Sequence, residues 1–143
     1  MTRWFGGRGA LLALTLLLSL PFGAAVAQSG DPLNEVNPRI EFSSVSREYA
    51  DMDMRYVRTG SQREIAQVRR VAVGQSSDEL QSILGRPAFG HGDGSHEFLL
   101  SLPLTARDRV ICQYRVFFDG DGKVERAVWR RPQCADLVLG RLN

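Results

Sequence analysis

Both histidines of the chain fall in the run Phe89-Gly90-His91-Gly92-Asp93-Gly94-Ser95-His96-Glu97, together with an aspartate and three glycines. Imidazole and carboxylate suit zinc or nickel, so His91, Asp93 and His96 are the residues from which a metal site would be built. A structural zinc wants four ligands on a braced frame, whereas this run is glycine-rich and contains no thiol, so the reading is a loop. Its alternating glycines do not make a phosphate cradle either, because no strand leads into them and no helix N-terminus follows. Asp119-Gly120-Asp121-Gly122 has the opening spacing of a calcium loop, but Lys123 occupies the fifth position and no helices flank it, which leaves a hairpin turn. Asp51-Met52-Asp53-Met54 reads in the same way as a solvated turn. No serine sits in a Gly-x-Ser-x-Gly elbow, and paired carboxylates would need a cleft that so short a stretch of regular pattern leaves little room to form. No catalytic residue, cofactor or metal is therefore expected, and the chain is not expected to be an enzyme.

The two remaining reactive side chains are Cys112 and Cys134, and their chemistry depends on the compartment. Arg3 and Arg8 precede an apolar run from Ala10 to Leu20, then Pro21 and the small-residue pattern Ala25-Val26-Ala27, which is the layout of a secretory signal peptide. The apolar run is about half the ~20 residues that a membrane span needs. Cleavage after Ala27 would expose Gln28, with no cysteine at the junction to take a lipid, so the mature chain is expected in the periplasm or associated with the outer membrane through a partner. In an oxidising space isolated thiols pair. The cysteines lack Cys-x-x-Cys spacing and have no nearby histidine to complete a zinc site, so a structural disulfide between Cys112 and Cys134 is expected.

The same leader removes an apparent clue. The chain has 18 Lys plus Arg and 16 Asp plus Glu, but loss of Arg3 and Arg8 brings the two counts level. A neutral chain argues against nucleic acid as a partner, whose binding rests on excess positive charge. Lys123, the lone lysine among the bases, reads as codon bias.

The elements that position these residues follow from period and caps. Residues 28–60 are polar, with Pro32 and Pro38 and no sustained period, and read as an extended or mobile arm with one short extended piece near Arg39 to Phe42. Ser61 with Glu64 forms a capping-box pattern before Ile65, Val68 and Ala72, which predicts a helix over about Gln62 to Val71. Ser76 with Glu79 repeats it before Leu80, Ile83 and Leu84, and Gly85 and Pro87 end that second helix. From Glu97 the period becomes two: Phe98, Leu100 and Leu102 alternate with Glu97, Leu99 and Ser101 up to Pro103. A second strand starts near Arg109, with Val110, Cys112, Tyr114, Val116 and Phe118 on one face and Ile111, Gln113, Arg115 and Phe117 on the other. A third strand returns from Lys123 to Arg130. Charge favours the register that sets Phe118 against Val124, Val116 against Arg126 and Tyr114 against Val128, with Arg126 leaning inward. The expected fold is α+β, two short helices packed on a three-stranded antiparallel sheet in the order ααβββ. Its expected domain spans residues 61–136, between the arm 28–60 and a C-terminal tail 137–143.

Two helices cover one face of such a sheet and leave Leu99, Ile111, Phe117 and Trp129 on the other. Several large apolar side chains together suggest a contact site for a protein partner. The competing reading is that the N-terminal arm or the C-terminal tail folds over them.

The order of these elements, with Tyr56-Val57-Arg58-Thr59-Gly60, Gly74, Leu84-Gly85-Arg86-Pro87, Cys112-Gln113-Tyr114, Phe118-Asp119, Trp129 and Cys134-Ala135, resembles the SmpA/OmlA family, the BamE-like domain of outer-membrane assembly. The likeness covers about Asp51 to Val138 and is nearest to the version that precedes OmpA-like domains in some envelope proteins. It implies a non-enzymatic envelope protein that works by contact with another protein, in assembly or maintenance of the outer membrane. Similar units of two helices and a sheet occur in β-lactamase-inhibitory proteins, which keeps an inhibitor-like binding protein as the alternative, with the loop His91 to His96 as its candidate plug. A periplasmic metal-binding protein is the third reading.

Overall fold

The computed structural model describes residues 30–44 and 60–142. The leader, the Asp51–Met54 turn and Tyr56–Thr59 lie outside the described residues. Nine elements follow in the order β1 (Glu35–Val36), β2 (Ser61–Gln62), α1 (Ile65–Val68), α2 (Ser77–Leu84), β3 (Phe89–Gly90), β4 (His96–Pro103), β5 (Arg109–Phe118), β6 (Val124–Trp129) and α3 (Pro132–Leu139).

The expected ααβββ arrangement is thereby corrected. The sheet is mixed and has six strands in the order β1-β6-β5-β4-β2, with β3 also on β4. Its centre, β4 to β6, is antiparallel, but β1 joins β6 and β2 joins β4 in parallel. The added strands are two residues long and carry no periodic signal of their own; their pairing is dictated by the edges they meet. Gly60 marks one such meeting. An added Cβ there would stand 2.9 Å from backbone atoms of Leu99, Leu100 and Ser101, so only glycine lets the chain come this close to β4.

Caps explain the helices. Ser76 accepts from the Glu79 N–H while Glu79 accepts from the Ser76 N–H, closing the box read from the sequence. These bonds hold the Glu79 carboxyl below its ordinary value. The first helix is a single turn whose box is Glu64 with Gln67, three residues later than expected, because Ser61 is taken by β2. A third helix, not expected from the sequence, follows β6 and takes in residues 137–139 of the expected tail. Pro132 opens it with a preset φ, and Gly140 closes it in the left-handed conformation at φ 70°.

All three helices lie on one face. There α2 sets Leu80, Ile83 and Leu84 against Phe98, Leu100, Cys112, Tyr114 and Trp129, and α3 adds Ala135 and Val138. Cys134 at the start of α3 is bonded to Cys112 on β5, so the disulfide ties this helix to the central strand.

The β5–β6 register corrects the charge argument. Phe118 does oppose Val124, but the next pair is Phe117 with Arg126, so Glu125 is an extra residue in a bulge. Beyond it every residue of β6 changes face relative to the expectation. Arg126 turns outward, where its guanidinium lies 3.9 Å from the centre of the Phe117 ring, and Trp129 turns inward opposite Tyr114. One inserted residue thus exchanges a buried guanidinium for a buried indole.

Candidate functional site

On the face away from the helices, the alternation of β4 and β5 projects Glu97, Leu99 and Ser101 beside Ile111, Gln113, Arg115 and Phe117. Ser101 here is bonded by Arg109, and three further polar side chains are buried: Glu97 at 0 %, Arg115 at 6 % and Gln113 at 7 % exposed. Burying polar groups is costly unless each finds a partner, and the partners come from the arm. After β1, Asn37 donates to the Trp129 carbonyl, and the chain then crosses the sheet from β6 toward β4 as a strap, Glu41 to Ser44.

The strap is held by its main chain and one hydroxyl. Ser43 donates its N–H to Glu97 Oε2 at 3.0 Å and its hydroxyl to Glu97 Oε1 at 2.7 Å. The Gln113 amide donates to the Ser43 carbonyl at 2.7 Å and to Glu97 Oε1 at 2.9 Å. Arg115 donates from Nη1 to the Glu41 carbonyl. Phe42 lies under the Arg130 guanidinium, 6.0 Å from its ring centre, while Arg130 also donates to the Gln113 side-chain oxygen at 2.7 Å. We call this arrangement the cradle.

The glycine-rich loop supplies its other wall. His91 Nε2 lies 2.8 Å from Glu97 Oε2, so among the described residues the carboxylate meets four donors. Arg115 donates Nε to the Ser95 hydroxyl and Nη2 to Asp93 Oδ2, both at 2.7 Å. Burial alone pushes the Glu97 carboxyl up; the donors from Ser43, Gln113 and His91 outweigh it and hold the group below its ordinary value. Asp93 is held at about 2, chiefly by the hydroxyl and N–H of Ser95, with Arg115 adding to them.

The sequence-derived candidates separate under this geometry. Leu99 is buried on this face, with Ile111 and Phe117 half-buried on it, as expected of an outer-face set. Trp129 does not join them and is corrected to the core: its ring stacks on Tyr114 at 4.0 Å, and its Nε1 donates to Asn34 Oδ1 at 2.9 Å. Burial, with Asp31 adding, pushes the Tyr114 hydroxyl far up, and it donates to the Leu33 carbonyl at 2.8 Å. The loop set is also dispersed. His91 is spent on Glu97 and Asp93 on Ser95 and Arg115, while His96 packs edge-on to Phe118 at 5.0 Å. Among the described residues, no group of three or more His, Cys, Asp or Glu side chains converges as a metal site would require. The loop is held to the sheet through His91 and Ser95, while Gly92, Asp93 and Gly94 at its tip are exposed.

Sequence reasoning missed Ser43, Glu97, Gln113 and Arg115 as one site. A signal was present: Glu97, Ser101, Gln113 and Arg115 share a sheet face with Leu99, Ile111 and Phe117, and Glu97 stands directly opposite Arg115. Polar groups on a face otherwise apolar need an internal partner.

The chain matches no protein-family model and no curated protein. The likeness to the SmpA/OmlA family therefore rests on the quoted residues alone.

Proposed function

We propose that this chain is an exported, non-catalytic cell-envelope protein that acts by protein–protein contact, in assembly or maintenance of the outer membrane. The observation that carries the reading is the saturation of the cradle. Its acid and its histidine are the groups best placed for acid–base chemistry and its guanidinium for holding an anion, and each is spent on the protein's own backbone and loop. What such a molecule presents to others is surface. The Cys112–Cys134 bond and the leader-like pattern Arg3 to Ala27 support an oxidising compartment, and the level charge of the mature chain supports a protein partner rather than nucleic acid. Membrane association then comes through that partner. On the outer face the exposed ring of Phe89, paired across to Glu97, and the half-buried side chains of Phe117 and Ile111 supply the apolar contacts.

The test is crosslinking of the tagged mature protein in intact envelope, with the crosslinked proteins identified, for wild type, Phe89→Ala and Phe117→Ala. The reading expects one envelope protein whose crosslinking falls at least tenfold in a variant with an unchanged thermal midpoint. Equal recovery from all three proteins would overturn it.

A further inference from the structure

We propose that the cradle is a peptide-binding site whose resident ligand is the strap, and that its external ligand is an extended segment of a partner protein carrying an aromatic residue followed by serine or threonine. This deepens the contact reading above and rests on it for its biological setting.

The recognition elements are side chains of the sheet and the groups they read are general. Arg115 takes a carbonyl at the position of Glu41, Glu97 takes an N–H at Ser43, and Gln113 takes the Ser43 carbonyl. Any extended chain offers these groups at the same intervals. Among the described residues, only one contact reads a side chain at hydrogen-bond distance, the Ser43 hydroxyl on Glu97 Oε1 at 2.7 Å. Serine and threonine alone place a hydroxyl one carbon from Cα, so the same residue bonds Glu97 through N–H and O–H together. The residue before it lies beneath Arg130, which suits an aromatic ring, as Phe42 shows.

Glu97, Arg115 and Gln113 are buried with the strap seated, and its release would exchange their bonds to it for bonds to water. A segment offering the same groups competes with the strap for those bonds. Every strap-to-sheet bond joins residues at least 54 apart in sequence, so the contacts themselves are independent of the local chain path and can be made by a separate molecule. The strap acts as a tethered competitor, which weakens an external ligand by the local concentration of the tether.

The experiment uses the full mature chain and two labelled synthetic peptides, Arg-Ile-Glu-Phe-Ser-Ser, which copies Arg39 to Ser44, and the same peptide with its first serine replaced by alanine. Fluorescence anisotropy is read for wild type and for Ser43→Ala, whose own strap lacks the hydroxyl bond. The expected result is saturable binding to the Ser43→Ala chain, at least tenfold tighter for the serine peptide than for the alanine peptide, and weaker binding to wild type. Absence of saturable binding, or equal binding of both peptides, would overturn the proposal. Wild type provides an arm that needs no variant to fold: excess serine peptide should speed tryptic cleavage after Arg39 and the alanine peptide should not, and equal rates count against the proposal. Envelope crosslinking through Phe89 or Phe117 can succeed while these peptides fail, so the two readings fall separately.

Discussion

Ser43 bonds the Glu97 carboxylate twice, through its N–H and its hydroxyl, across 54 residues of sequence. Glu97 lies fully buried on the sheet face opposite the helices, so this pair decides whether that face is open or closed. It is closed, by the arm. The two occupants weighed for the face were a partner and the chain itself, and over Glu97, Gln113 and Arg115 the chain itself is in place.

The first prediction concerns this pair. Glu97→Ala removes the acceptor for the Ser43 N–H and hydroxyl, the Gln113 amide and His91. Urea unfolding should show a loss of roughly 3 kcal/mol, the scale of losing several hydrogen bonds to a charged group. A change under ~0.5 kcal/mol would mean that the strap is held by something else.

Acid should act on the same site. The folded-state pKa of Glu97 lies below its ordinary 4.5 and that of Asp93 falls from 3.8 to about 2. A group with a lowered folded pKa binds protons less readily when folded, so its stabilisation is complete above the ordinary value and is lost as pH falls through the folded one. Thermal midpoints should hold steady above about pH 5 and then fall, with the Asp93 contribution disappearing between pH 3.8 and about 2. Asp93→Asn should flatten the lower part of that profile.

Trp129 should behave as a core residue. Truncation to alanine removes the stack on Tyr114 and the bond to Asn34, and should cost roughly 3 to 5 kcal/mol in urea unfolding. A large fall in stability is the expected outcome, whereas a stable Trp129→Ala variant would contradict the bulged register.

The Cys112–Cys134 bond joins the central strand to α3 with a sequence separation of 22. Replacing Cys112 by serine should lower stability by roughly 2 to 5 kcal/mol, and denatured wild type folded under oxidising conditions should contain no alkylatable thiol. Full alkylation of both cysteines without reduction would remove the bridge from the account.

The central sheet was legible because period, caps and turns act over a few residues. The Ser76–Glu79 box, the alternation from Phe98 to Leu102 and the Asp119–Gly122 turn, where the Asp119 side chain accepts from the Asp121 and Lys123 N–H groups, are all local statements. The third helix was also written locally, in Pro132, Cys134, Leu137, Val138 and Gly140, but is only eight residues long. The bulge at Glu125 was not, since charge pairing read alone favoured an even ladder, and the burial of Trp129 beside Tyr114 outweighs it. Strands of two residues have no period to read. The cradle was hidden for a related reason: Glu41 and Ser43 meet Arg115, Glu97 and Gln113 across 54 to 74 residues, and nothing near either end announces the other.

The most direct test of the closed outer face is amide hydrogen exchange at Ser43. With its N–H on a buried carboxylate, Ser43 in wild type should exchange on the order of a hundredfold or more slower than an unstructured amide. In Glu97→Ala it should approach the unstructured rate, while the Val116 amide in the central strand stays protected. Exchange of Ser43 at the unstructured rate in wild type would show the strap is not seated on Glu97, and the account of the cradle would fall with it.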